Sequence, residues 1–200
     1  MKQDALLIFI RNPELGKVKT RLAKDLGDEA ALGIYHQLLG HTRRIALSVP
    51  VERYLFYSNF IDRKDGWPEP DFKKYLQPPG DLGDRMLKAF DQALADCEAA
   101  VIVGSDCPGL STDILQTAFT QLQQNDFVIG PALDGGYYLL GMKKLAPQLF
   151  LDMTWSTDQV FSDTTARMEH LGASYYVLPA LSDIDYAEDW EQHGPLIDRE

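Results

Sequence analysis

The sequence predicts an α/β protein of three layers, with a mostly parallel sheet between two layers of helices. Three observations lead there. Short apolar runs alternate along the chain with helical patterns of roughly 10 to 20 residues, the order expected of such a fold. The runs ALLIFI (5–10) and AVIVG (100–104) carry no polar side chain, as strands covered on both faces require. The most unusual loops, 11–21, 105–111 and the stretch before 185, follow strands, at the edge where these sheets bind ligands.

The elements follow in order. ALLIFI is the first strand, and the loop RNPELGKVK leads to a helix start near Thr20. From Asp28 to about Leu47, residues such as Ala31, Ile34, Tyr35, Leu38 and Leu39 recur at spacings of three and four, which describes an amphipathic helix. RYLFYS (53–58) reads as the second strand, and the Pro- and Gly-rich stretch 66–83 holds one further short strand, FKKYLQ. A helix over 84–96 places Met86, Leu87, Phe90 and Leu94 on one side, with Asp84 as its expected N-cap. After the strand at 100–104, Ser111 or Thr112 caps a helix whose Leu115, Ala118, Phe119 and Leu122 face inward. DFVIG and YYLLG are two strands separated by PALDGG; a helix from about 158 to 171, a last strand SYYVLP and a short acidic segment at 186–192 complete the chain. One domain covers 1–200, with 131–157 read as an insertion folded over one side.

Composition narrows the function. A formal net charge of −11 argues against nucleic acid as the main partner, since a phosphate backbone needs clustered positive charge. It leaves small anions open, because a local basic loop can hold a phosphate in an acidic protein. The two cysteines, Cys97 and Cys107, build neither a disulfide framework nor a four-ligand zinc site. The first apolar run stops at Arg11, and no stretch approaches the length of a membrane span. A soluble, cytoplasmic protein is expected, either monomer or homodimer.

Five loops carry candidate chemistry. RNPELGKVKTRLA (11–23) brings Arg11, Lys17, Lys19 and Arg21 together around Gly16; it reads as a diphosphate loop or as a plain solvated one, and it matches neither the P-loop nor the dinucleotide spacing. In QPPGDLGDRM (77–86), Gln77 offers a donor and an acceptor to a nucleobase and Gly80 permits close approach, unless the segment is only a turn into a helix. Asp106, after a buried strand and before Pro108, either closes a turn or ligates a divalent cation together with substrate phosphates. In LSDIDYAED (181–189), Asp183 and Asp185 point to one side of an extended chain, although Asp185 can equally cap the next helix. GPALDGGYYLLG (130–141) lets Asp134, Gly135 and Gly136 approach a sugar hydroxyl or an amine, or simply turns the chain. Cys107 lacks a nearby histidine and reads as packing rather than as a nucleophile.

Together, RNPELGKVKTRLA, QPPGDLGDRM, GSDCPGL, GPALDGGYYLLG and SDIDYAED resemble the DUF2064 family of glycosyltransferase-A-like transferases, over about residues 3–192. That family is similar to the nucleotide-diphospho-sugar transferase superfamily, which includes molybdenum-cofactor and phospholactate nucleotidyltransferases. The resemblance implies a Rossmann-like α/β/α sandwich of the GT-A type, with the nucleotide over the first half of the sheet and the acceptor over the second, on the side of 131–157. It implies phosphate binding by Arg11, Lys17 and Arg21, a base bordered by Gln77 and Gly80, and Mg²⁺ or Mn²⁺ held by Asp106, Asp183 and Asp185. Three departures are visible: SDCP stands in place of a full DxD, the first loop lacks a glycine-rich form with a trailing lysine, and DIDYAED lacks the threonine that often follows the second aspartate.

The expected activity is metal-dependent transfer from an activated nucleotide to a small acceptor. Asp106, Lys17 and Asp134 are the expected catalytic residues, with Lys17, Lys19 or Arg21 stabilising the leaving group. Glycosyl transfer from a nucleoside-diphosphate sugar is the first expectation. Nucleotidyl transfer to a phosphorylated acceptor with release of pyrophosphate, and nucleotide binding without catalysis, are the alternatives.

Overall fold

A computed structural model describes residues 3–199. The chain runs β1 (Ala5–Ile10), α1 (Thr20–Leu26), α2 (Asp28–Leu47), β2 (Glu52–Tyr57), β3 (Lys73–Leu76), α3 (Leu82–Asp96), β4 (Ala100–Val103), α4 (Thr112–Gln124), β5 (Phe127–Pro131), β6 (Tyr137–Met142), α5 (Val160–His170), β7 (Tyr175–Val177) and α6 (Ala187–His193). The seven strands form one sheet in the order β3-β2-β1-β4-β6-β5-β7. All pairings are parallel except those of β6, which runs antiparallel to both β4 and β5.

Side-chain alternation builds the three layers. In β1, Leu6, Ile8 and Ile10 enter one core with Tyr35 and Leu38 of α2, Leu22 of α1 and Leu115 of α4. Ala5 and Leu7 enter the opposite core with Met86 and Phe90 of α3 and Met168 of α5. The period of two along a strand thus commits each face to its own helices. Tyr137–Met142 lies inside the sheet as β6, and this is possible because Gly141 has no side chain: a Cβ there would stand 3.0 Å from both Leu122 Cδ1 and Val101 Cγ2.

Two helix ends differ from the sequence reading. The N-cap of α3 is Asp81, whose carboxylate accepts from Asp84 N at 2.9 Å; Asp84 is the third helical residue and closes the capping box from inside. Asp185 does not cap α6. Asp189 accepts there from the backbone N–H groups of Asp185 and Tyr186, which leaves the Asp185 carboxylate for the cleft. Ser111 caps α4 by accepting from Ile114 N at 3.2 Å.

The long segment between β2 and β3 is held by a buried ion pair. Lys74 Nζ lies 2.7 Å from Asp65 Oδ1 and donates to Asp62 O at 2.8 Å, while Tyr57 donates its hydroxyl to the other Asp65 oxygen. Removing one partner of a buried pair strands the other charge, at a cost of about 3 kcal/mol. Asp65→Ala is therefore expected to lower the urea midpoint clearly, and Lys74→Met/Asp65→Leu to recover most of the loss. A midpoint unchanged by Asp65→Ala would remove this pair from the fold's support.

A candidate nucleotide-phosphate site at the sheet's switch point

Chain direction reverses at β1 and β4: from β1 the chain winds toward β2 and β3, and from β4 toward the opposite edge. Open α/β sheets bind ligands beyond the strand ends at such a point. A cleft of about 950 Å³ opens there, lined by the loop after β1, the turn after β4, and segments 134–137, 155–160 and 183–185.

The loop after β1 is fixed from below. Asn12 is buried and its Oδ1 accepts from Asn59 N at 2.9 Å, while its amide donates to Phe60 O at 2.8 Å. The Tyr35 hydroxyl accepts from Arg11 N at 2.9 Å and donates to Arg11 O at 3.0 Å. Val18 is buried in the same core as Leu22, so its neighbours Lys17 and Lys19 leave in other directions. Lys17 turns outward to Glu14, 2.7 Å away, and is largely exposed. Lys19 turns inward: its side chain is 5% exposed and its Nζ lies 2.6 Å from Asp106 Oδ2 and 3.8 Å from Asp185 Oδ1. Its backbone is left-handed (φ 48°), a conformation that costs a non-glycine residue about 1–3 kcal/mol and persists where the surroundings dictate it.

Asp106 follows β4 and is oriented by Ser105, which is buried and donates to Asp106 Oδ1 at 3.3 Å. Burial would push the Asp106 carboxyl up, but the charge and hydrogen bond of Lys19 outweigh it and hold the carboxyl below its ordinary value. The backbone of Asp106 also positions the late acidic pair, since Ile184 N donates to Asp106 O at 3.0 Å and Ile184 is fully buried. Asp183 and Asp185, on either side of Ile184, thereby both line the cleft. Asp185 is claimed by Arg21 (Nη1 to Oδ2, 2.8 Å) and by Lys19. Because both contact Lys19 Nζ, one oxygen of Asp106 and one of Asp185 lie no farther apart than the sum of 2.6 and 3.8 Å. Burial and then the charge of Asp106 push the Asp183 carboxyl up to about 7, against Lys19, with Asp134 and Asp185 adding smaller upward contributions.

The remaining predicted residues divide. Arg11, Lys17, Lys19, Arg21, Gln77, Asp106, Asp134, Gly136, Asp183 and Asp185 line the cleft; Gly16, Gly80 and Gly135 do not. Gly80 lies against Asp84, and Gly16 lies in the 14–17 turn closed by Lys17 N donating to Glu14 O. Gly135 (φ 90°) lets the 134–136 turn pack on the chain at Asp158, whose carbonyl oxygen a Cβ would meet at 2.3 Å. Gly135→Ala is expected to lower Tm by several degrees and to displace the 155–158 wall, with nucleotide affinity changed less than twofold in calorimetry. The Gln77 amide donates to Ile10 O at 3.1 Å and Phe56 O at 3.3 Å, so it ties strand ends together as well as facing the cleft.

Sequence reasoning missed Asn12, Tyr35, Asn59, Arg85 and Asp158 as lining residues. Tyr35 carried the signal of a core-facing helical residue, and only its hydroxyl reaches the loop. Cys107 is buried, with burial and then Asp183 pushing its thiol up, which suits packing and not nucleophilic attack.

Asp106, Asp183 and Asp185 share the cleft, but among the described residues no three His, Cys, Asp or Glu side chains form a group that could hold a metal ion. The donors are nevertheless of the right chemistry for a magnesium-type ion that takes one or two carboxylates and completes its shell with phosphate oxygens and water.

A doubly wound sheet with a basic loop and a carboxylate cluster at its switch point defines the fold of nucleotide-handling transferases. The chain belongs to the DUF2064 family, described as an uncharacterized protein conserved in bacteria, whose model matches residues 41–157. It is similar, at 27% identity and a TM-score of 0.86, to a candidate nucleotide-diphospho-sugar transferase from Desulfovibrio desulfuricans G20, over 100% of this chain and 98% of that one. A nucleotidyl transferase from Methanothermobacter thermautotrophicus shares the fold at 15% identity and a TM-score of 0.64, covering 99% of each chain. The 4-diphosphocytidyl-2C-methyl-D-erythritol synthase of Anaerococcus prevotii does so at 11% identity and 0.61, again over 99% of each. No curated protein matches the chain significantly. No helix of the described residues is long and apolar enough to cross a membrane.

Proposed function

We propose that the protein is a nucleotidyltransferase, moving a nucleoside monophosphate from a nucleoside triphosphate to a small acceptor with release of pyrophosphate. The observation that carries this reading is the set of cations in one cleft: Arg11, Lys17, Lys19, Arg21 and Arg85 all line it. A triphosphate carries more charge than the diphosphate of a nucleotide sugar, and five cations suit it better. Two structures that share the fold are named as a cytidylyltransferase and a nucleotidyl transferase, and another, named as a synthetase, is complexed with CTP, which supports the same choice over the glycosyl transfer first expected from sequence. Glycosyl transfer is the second reading, favoured by the description of the Desulfovibrio desulfuricans protein.

In the proposed reaction an acceptor atom bonds to the α-phosphorus, the bond from that phosphorus to the bridging oxygen breaks, and pyrophosphate leaves. Arg11 and Arg21 hold the phosphates in line. Lys19, nearly buried and held by Asp106 at the cleft wall, presents its charge in place to the oxygen on which charge develops. Lys17, exposed and paired with Glu14, adds field and not a directed contact. Asp106 and Asp183 would hold a divalent cation, which would neutralise the polyphosphate when bound.

Calorimetry with the four nucleoside triphosphates and with UDP-, GDP- and ADP-sugars, each with and without Mg²⁺ or Mn²⁺, tests the reading. Triphosphates are expected to bind at least tenfold more tightly than any nucleotide sugar, and the metal to tighten them further. Tighter binding of a nucleotide sugar would transfer the case to glycosyl transfer, and no binding by either group would end both.

A further inference from the structure

The cleft's charges are segregated along the chain, and Lys19 and Arg21 join the two sets through Asp106 and Asp185. Every cation lining it precedes residue 86, whereas from Ser105 onward the lining contributes Asp106, Asp134, Asp158, Asp183 and Asp185 and, among the described residues, no Lys, Arg or His. The carboxylate half is continuous with the triphosphate half, so an acceptor must sit against it to reach the α-phosphorus. Tyr137, Trp155, Ser156 and Thr157 complete that half, with the Tyr137 and Trp155 rings in edge contact at 6.5 Å.

We propose that the acceptor is a polyhydroxylated, uncharged molecule, without phosphate or carboxylate, and that it attacks through a hydroxyl group. The inference rests on the nucleotidyl-transfer reading and goes further than it in naming the acceptor's class. Two independent arguments converge. Asp106 and Asp185 are paired with Lys19 and Arg21, whereas Asp134 and Asp158 have no ion-pair partner among the described residues, so a phosphorylated acceptor seated beside these two would meet repulsion and no adjoining cation, at a dielectric lower than that of water. A phosphate nucleophile also needs no base, because its attacking oxygen is already ionised. A hydroxyl nucleophile needs the reverse: no cation to bind it, and a carboxylate to take its proton.

Asp134 is arranged for that task. Its Oδ1 accepts from Gly136 N at 2.9 Å, which fixes the side chain in the turn and leaves Oδ2 for a ligand. In the balanced step the acceptor O–H oxygen bonds to the α-phosphorus, its proton passes to Asp134, and the α–β bridging oxygen leaves with pyrophosphate. Further hydroxyls donate to Asp158 and Thr157 at the rim, and a C–H face of a polyol packs on Trp155. Ser156, held left-handed at φ 62°, keeps this wall turned toward the cleft.

The test uses the whole protein saturated with a non-hydrolysable triphosphate and magnesium, so that nucleotide binding is read first and separately. Glucose, mannose, ribitol and glycerol are then titrated beside their phosphomonoesters. At least one neutral member is expected to bind ten times more tightly than its phosphorylated partner, and to release pyrophosphate when an ordinary triphosphate replaces the analogue. Asp158→Lys, an exposed substitution, is expected to reverse that preference by about tenfold, read as the ratio of the two acceptor affinities with the triphosphate analogue saturating. Binding by phosphorylated members alone, or by neither series, overturns the inference while leaving nucleotide binding and the transferase reading standing. Failure of the triphosphate itself to bind overturns the reading beneath it.

Discussion

Lys19→Met is expected to lower kcat/KM by about a hundred- to a thousandfold, the loss typical of removing one directed charge from a transition state. Lys17→Met, two residues away, should cost only a fewfold. The difference is one of geometry, since both residues carry the same group in the same loop. Lys17 Nζ is solvated and bound to Glu14 at 2.7 Å, where a surface pair contributes little. Lys19 is nearly buried, its ion pair with Asp106 is 2.6 Å long, and its stem is fixed by the core packing of Val18 on one side and the start of α1 on the other. A charge held in place before substrate arrives needs no reorganisation during reaction. Lys19→Gly separates charge from backbone. It deletes the same cation but relieves the left-handed strain, so it should be as inactive as Lys19→Met and more stable by about 1 kcal/mol. Steady-state pyrophosphate release and thermal melts of the three variants check this. Equal activity losses in Lys17→Met and Lys19→Met would show that the loop acts as a diffuse field, and would remove the directed role from Lys19.

The same pair of lysines shows what the sequence could and could not reveal. The charge density of 11–21 is plain in the letters, and so is its position after a buried strand. Both lysines line the cleft, and which of them is buried against Asp106 depends on Val18 entering the core beside Leu22, a tertiary fact that no spacing rule contains. Strand positions were legible because β1, β4, β5 and β6 are apolar runs bounded by turn residues and β2 ends in the apolar and aromatic run YLFY. Their lateral order was not: β6 separates β4 from β5, and there Gly141 fits closely against Val101 and Leu122. Capping signals misled by a few residues where aspartates are dense. Asp81 and Asp84 are both chemically able to cap α3, and the backbone geometry at 80–81 selects the first. Near α6 the same ambiguity hid a functional point, for Asp189 does the capping and frees Asp185 to face Arg21. Among the glycines, three positive-φ residues singled out as ligand contacts, Gly16, Gly80 and Gly135, shape the loops that carry the site without lining it.

Asp183→Asn is expected to raise the stability of the metal-free protein while cutting transferase activity by about a hundredfold or more. Asp183 faces the charges of Asp106, Asp134 and Asp185, and Lys19 spends its short contact on Asp106. Its carboxyl ordinarily ionises near 3.8 and in the fold near 7. A raised carboxyl pKa means the native state holds the proton more firmly than the unfolded chain does. Its favourable contribution is complete below the unfolded value, declines as pH rises, and is gone above the folded value. At pH 8 the residue is an ionised carboxylate among its like, and removing its charge should raise Tm by about 2–4 °C, as a gain near 1 kcal/mol does in a chain of this size. At pH 5.5, midway between the two values, the gain should fall to about half of that at pH 8, and it should vanish only below about pH 3.8. The functional effect has the opposite sign because the crowding that destabilises the empty cleft is what a divalent cation and its polyphosphate would relieve. Addition of Mn²⁺ with a nucleoside triphosphate should therefore raise the Tm of the wild type at pH 8 by more than that of Asp183→Asn. Melts at the two pH values, with and without metal and nucleotide, provide the test. A variant destabilised at pH 8, or one stabilised by metal–nucleotide as strongly as the wild type, would show that Asp183 is a structural side chain and that the cleft's metal, if it takes one, is held elsewhere.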